Sequence, residues 1–114
     1  MLFRSTPGHD IEQLTGFAAA GINICVFTSG RGTPTGNAVV PTIKVSTNTP
    51  MFKAIPDLID LNAGTIAEGK ETLDEVGNRI FNEIIEVANG KLTKAEIGGH
   101  HEFALSRMYK TEVI

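Results

Sequence analysis

Ile22-Asn23-Ile24-Cys25-Val26-Phe27-Thr28, running directly into Ser29-Gly30-Arg31-Gly32-Thr33-Pro34-Thr35-Gly36, reads as a buried strand that ends in a glycine-rich loop. The run is almost continuously apolar and β-prone, the pattern of a parallel strand covered on both faces. Upstream, Met1–Arg4 has strand character and enters the turn Ser5-Thr6-Pro7-Gly8. Asp10 then stands where a cap belongs, ahead of a helix whose Ile11, Leu14, Phe17 and Ala18 recur at spacings of three and four, and Gly21 supplies its stop. Strand, helix and strand in that order make a βαβ unit. Downstream, Thr42-Ile43-Lys44-Val45-Ser46 alternates as a third strand, with Ile43 and Val45 on one face. Thr49 is placed to cap a short helix through Met51, Phe52 and Ala54, and Leu58–Leu61 is a candidate fourth strand before the turn Asn62-Ala63-Gly64. The longest helix opens on a capping-box pattern, Thr72 with Glu75, and carries Leu73, Val76, Ile80, Phe81, Ile84, Ile85 and Ala88 as an apolar stripe up to Gly90. Thr93–Glu96 and Phe103–Leu105 read as short packing segments. The pattern predicts an α/β fold, a three-layer, open, mainly parallel sheet of Rossmann-like type with flanking helices.

A chain of 114 residues is the size of one domain, able to bury roughly 65% of its unfolded surface. At 41% hydrophobic and 20% charged it has the composition of a globular domain, not of a disordered or fibrous chain. A net charge of -3 with scattered Lys and Arg gives no basic stripe for phosphates, so nucleic acid is not an expected partner. No apolar run reaches the roughly 18 to 20 residues of a membrane span, and a cytoplasmic location is the expectation. The single Cys25, inside an apolar run, is read as a core thiol. Leu2-Phe3 directly after Met1 is strand material where a free-standing domain usually frays, which suggests a fragment.

The chemistry concentrates around the glycine loop. At the C-terminal end of a parallel strand, where open α/β sheets bind ligands, Gly30, Gly32 and Gly36 permit close approach of backbone N–H groups to an anion. Arg31 can grip a carboxylate with two parallel hydrogen bonds, and Thr28, Ser29, Thr33 and Thr35 offer hydroxyls. A tight turn with a solvated Arg31 is the competing reading. The glycine spacing matches neither the dinucleotide fingerprint nor the Walker loop. Lys44, between Ile43 and Val45, is either an edge lysine or a buried amine whose lowered pKa suits a base. Asp60 and Asn62 either orient Lys44 and bind hydroxyls or simply cap a turn. His100-His101-Glu102 lacks metal-ligand spacing, and no metal site is assigned to this chain.

Thr6-Pro7-Gly8, the loop Thr28–Pro34 with Gly36, Pro41–Asn48 and Asp60–Gly64 together resemble, in order and approximate spacing, the C-terminal region of the altronate/galactarate dehydratase family. Two positions depart from the family pattern. Arg4-Ser5 stand where Met-Asp is usual, and His9 stands where an aromatic residue is usual, so neither a carboxylate role there nor a role for His9 carries over. The tail Glu102–Tyr109 is similar to the altronate branch, which ranks altronate above galactarate. The resemblance implies a sugar-acid hydro-lyase that takes altronate to 2-keto-3-deoxygluconate and water, with iron(II) or manganese(II) as activating metal in the full-length enzyme. Such chains are several times longer, with N-terminal and central domains that this sequence lacks. Those domains are implied partners, and a homo-oligomer is a further one. On this reading residues 1–114 are a single C-terminal domain, inactive by itself. Lys44 supplies base or charge, and Thr28, Ser29, Gly30, Arg31, Gly32, Thr33, Asn48 and Asn62 hold the substrate. Sulfolactate sulfo-lyase subunits are also similar to the family, which leaves the leaving group open. A stand-alone binding module for acidic metabolites, and a scaffold part whose glycine loop merely turns, are the alternatives.

Overall fold

The structure, a computed structural model, describes residues 9–104. The proposed first strand at residues 1–4, its turn at 5–8 and the tail from 105 lie outside them. Three parallel strands, β1 (Cys25–Ser29), β2 (Thr42–Ser46) and β3 (Leu61–Asn62), form an open sheet in the order β1-β2-β3. The helices are α1 (Asp10–Ala19), α2 (Thr49–Ala54), α3 (Leu73–Ala88) and α4 (Lys94–Ile97). The α/β class and parallel sheet agree with the sequence pattern. The strand-order reversal that defines a doubly wound sheet is not present among the described residues.

Side-chain alternation explains the layers. In the β1–β2 register Val26 pairs with Ile43 and Thr28 with Val45. Ile43 and Val45 pack with Val87 of α3, joined by Val26, Leu61, Ile80 and Ile84. The opposite face carries Cys25, whose cluster with Leu14 and Val40 is completed by Phe17, Ala18, Ile22 and Phe27. Helix α1 therefore covers one side and α3 the other. Burial pushes the Cys25 thiol above its ordinary value, as suits a core residue.

Several boundaries differ from the sequence reading. Strand β1 begins at Cys25, not Ile22, because the Ile22 N–H donates to the Phe17 carbonyl and closes the end of α1. His9 occupies the α1 cap position without a side-chain hydrogen bond, and Asp10 is the first helical residue. Asn48, not Thr49, caps α2, its side chain accepting from the Met51 N–H at 3.2 Å. The fourth-strand candidate shrinks to Leu61-Asn62. One position earlier the Asp60 N–H still donates to the Lys44 carbonyl at 2.9 Å, but the Lys44 N–H donates to the Asp60 carboxylate at 2.8 Å, so a side chain takes one of the ladder bonds. Thr72 caps α3 through the Glu75 N–H at 3.2 Å, but the reciprocal capping box forms at Thr93 and Glu96 instead.

Candidate functional site

The glycine loop does two things in succession. Its first part, Ser29–Gly32, forms the rim at the C-terminal strand ends. The Ser29 hydroxyl accepts from the Gly32 N–H at 2.7 Å, and the Thr47 N–H donates to the Ser29 carbonyl at 3.1 Å. Gly32 has φ +87°, a conformation that favours glycine, and a Cβ there would lie 2.6 Å from Ile55 Cδ1 and 2.7 Å from Met51 Sδ, so the flexible ends of those side chains would have to shift. Arg31 projects from this turn, exposed and without an ion pair among the described residues. The second part, Thr33–Gly36, folds back across the sheet face that carries Lys44. Thr33 and Thr35 are buried, their hydroxyls 2.8 Å apart. A Cβ on Gly36 would collide with the His100 carbonyl oxygen and the Ala95 Cβ, so this segment is clamped against the chain leading to Glu102. The Gly36 N–H donates to Glu102 Oε2 at 3.4 Å.

Lys44 is 0% exposed, which decides between the edge and buried readings left open by the sequence. Its Nζ donates to the Thr33 carbonyl at 3.0 Å. Burial lowers the pKa of the amine, while the carboxylates of Asp60 and Glu102 pull it back up. Asp60 also ties elements together, since its second oxygen accepts from the Lys94 N–H at 2.9 Å at the start of α4. Asp60 thus fixes the backbone of β2 beside Lys44. Glu102, read from sequence only as a poor metal ligand, is a charged neighbour of Lys44 that sequence reasoning missed. Its separation from Lys44 along the chain leaves no local signal.

The structure divides the sequence-predicted residues. Ser29, Gly30, Gly32 and Asn48 meet at the strand rim beside α2. Asn62 joins them through its side-chain amide, whose Nδ2 donates to Thr49 Oγ1 at 3.1 Å while its Oδ1 accepts from the Gly64 N–H at 2.9 Å. Thr49 in turn donates to Glu68 at 2.5 Å. Lys44 lies apart with Thr33, and Thr28 is on the α3 side of the sheet, exposed, away from both. A cavity of about 470 Å³ opens at the start of α1, lined by His9, Asp10, Ile11, Glu12, Thr35 and Ala104. His100 Nδ1 lies 3.6 Å from Glu102, and no group of three or more His, Cys, Asp or Glu side chains converges among the described residues.

Over residues 1–111 the sequence matches the family described as D-galactarate/altronate dehydratase, C-terminal. The chain belongs to this family. It is 47% identical over 91 residues to the galactarate dehydratase (L-threo-forming) of Escherichia coli K12, covering 80% of this chain and 17% of that protein. It is 44% identical over 101 residues to the altronate dehydratase of Bacillus subtilis 168, covering 89% and 20%. The β subunit of (2R)-sulfolactate sulfo-lyase from Chromohalobacter salexigens is 32% identical over 109 residues, covering 96% and 28%. This dehydratase-family chain spans only a minor part of the length of the relatives it matches. Among its described residues no helix is long and apolar enough to cross a membrane.

Proposed function

We propose that this chain is the substrate-binding C-terminal domain of a sugar-acid dehydratase that converts altronate to 2-keto-3-deoxygluconate and water. The observation that carries the reading is the family match over residues 1–111. The loop geometry supports a position for the acid. An exposed Arg31 stands on a glycine turn at the C-terminal ends of parallel strands, where a carboxylate meets both a guanidinium fork and loop N–H groups. Removal of a proton next to a carboxylate builds negative charge on that carboxylate, and fixed cations and dipoles stabilise it. Lys44, sealed beneath Thr33, supplies positive charge to this region; with no exposed surface it does not meet substrate in the conformation described. Ser29, Thr33, Asn48 and Asn62 order the loops around the acid. Catalysis requires the remainder of a full-length chain, which also provides the ligands for iron(II) or manganese(II).

The test is a coupled assay for the 2-keto-3-deoxy acid, run on the full-length enzyme with iron(II) or manganese(II) and a panel of altronate, galactarate and sulfolactate. Altronate turnover is the expected result, and turnover of none of the three refutes the reading. Arg31→Ala is expected to raise KM by about tenfold or more, the scale of a lost charge-assisted hydrogen-bond pair. Unchanged kinetics in that variant would remove Arg31 from the site.

A further inference from the structure

The turn that carries Arg31 is fastened at both ends. At its start the Ser29 carbonyl accepts from the Thr47 N–H at 3.1 Å, and the Ser29 hydroxyl accepts from the Gly32 N–H at 2.7 Å. At its end the Thr33 carbonyl accepts from Lys44 Nζ at 3.0 Å. Arg31 stands exposed between these two points, which set the path of its backbone. Thr33 faces the protein, its hydroxyl paired with that of Thr35 at 2.8 Å and its carbonyl taken by Lys44. The base of the tether is rigid as well. The Asp60 carboxylate accepts from the Lys44 N–H at 2.8 Å and, through its other oxygen, from the Lys94 N–H at 2.9 Å. Burying an ammonium is costly, and an apolar side chain of the same length fills such a space at lower cost. A lysine here has a physical reason if its charge-assisted hydrogen bond, stronger than a neutral one, holds what a neutral side chain would release.

We infer that Lys44 is a positioning residue: by holding the Thr33 carbonyl it fixes the Arg31 turn in the geometry that grips the substrate carboxylate. This rests on the role proposed above for Arg31 and deepens it. Lys44 does not touch the acid; it acts through the two peptide units that separate Thr33 from Arg31. A two-bond grip on a carboxylate is sensitive to placement, and a displacement of about 1 Å costs on the order of 100-fold in rate. The tether is distinct from the clamp at Gly36, which holds the far end of the segment against His100 and Glu102. Loss of the ammonium therefore loosens the Arg31 end of the loop and leaves the clamp in place.

A double-mutant cycle in the full-length enzyme, with Lys44→Met, Arg31→Ala and the pair, tests the inference alongside amide hydrogen exchange. Lys44→Met is expected to raise KM for the sugar acid about tenfold or more, in the same direction as Arg31→Ala. In the Arg31→Ala background the same substitution should change KM by less than about threefold, because the group it positions is gone. Exchange of residues 29–36 should quicken about tenfold in Lys44→Met while that of α3 stays as in the wild type, a local loosening and not an unfolding. Lys44→Gln, neutral and on a shorter stem, enters the same cycle if the methionine variant does not fold. Equal effects of the Lys44 substitution in both backgrounds overturn the inference, as does unaltered exchange of residues 29–36. A loss of kcat with KM unchanged also overturns it, since that is the signature of a group acting in the chemical step. Failure of the substrate reading looks different: Arg31→Ala is then silent, and with no grip to set the inference falls too, whereas a damaging Arg31→Ala with additive kinetics overturns the inference alone.

Discussion

Replacing Lys44 with methionine measures how the fold carries a buried charge. Methionine keeps an unbranched, flexible stem of similar volume and deletes the ammonium. In the folded chain burial holds the amine below its usual value against the opposing pull of Asp60 and Glu102. Between the folded and unfolded values the unfolded chain therefore binds the extra proton. Stability then rises with pH across that window. The cost of burying the ammonium is fully present below the folded value and disappears above the unfolded value of about 10.4. Inside the window the slope approaches about 1.4 kcal/mol per pH unit for one proton. For a domain of this size that is a melting shift of roughly 4 °C per pH unit or more. Urea unfolding of wild type and Lys44→Met, taken from pH 7 to pH 11, gives the stability difference as a function of pH. Groups common to both chains, including the Cys25 thiol, cancel in that difference. Wild type should gain on the variant as pH rises and then level off. A difference that is flat, or that moves the other way, refutes the view of Lys44 as a desolvated ammonium held by the Thr33 carbonyl.

Two further comparisons probe the loop and the helix ends. Gly36→Ala should destabilise by at least about 3 kcal/mol, because its Cβ meets the His100 backbone; Gly32→Ala, whose Cβ meets only the ends of Ile55 and Met51, should cost about 1–2 kcal/mol. Equal effects in denaturant titrations would show that the Gly36 clamp is looser than described. At the caps, Thr93→Ala should cost about 2 kcal/mol, since Thr93 is fully buried in a complete capping box, and Thr72→Ala about half of that. Thermal melts of the two variants rank them directly, and the reverse order would contradict the burial difference.

Local signals were legible where one residue type has one cheap solution. The alternation Thr42–Ser46 defined β2 to the residue, and the three- and four-residue spacing of apolar side chains placed α3 between Thr72 and Gly90. Boundaries failed where a competing local bond won. Asn48 is a better cap acceptor than Thr49 in this turn, and the Asp60 carboxylate takes the Lys44 N–H in place of a backbone carbonyl, although the Asp60 N–H still pairs with the Lys44 carbonyl. The apolar stripe of α3 is legible in the sequence, but Leu73, Phe81 and Ile85 within it are exposed in the fold. Periodicity reports which side chains avoid water, not what covers them.

For the site, the glycines, Arg31 and the motif order were enough to identify the family and to place a loop at the strand ends. Sequence left Lys44 divided between a sheet edge and the interior, because a lysine on a strand has the same local pattern in both. Only the tertiary structure decided it, by folding Thr33–Gly36 over the amine and bringing Asp60 and Glu102 to the same side of the sheet. Burial of a charge depends on groups distant in sequence, since no local bond can replace the water it loses.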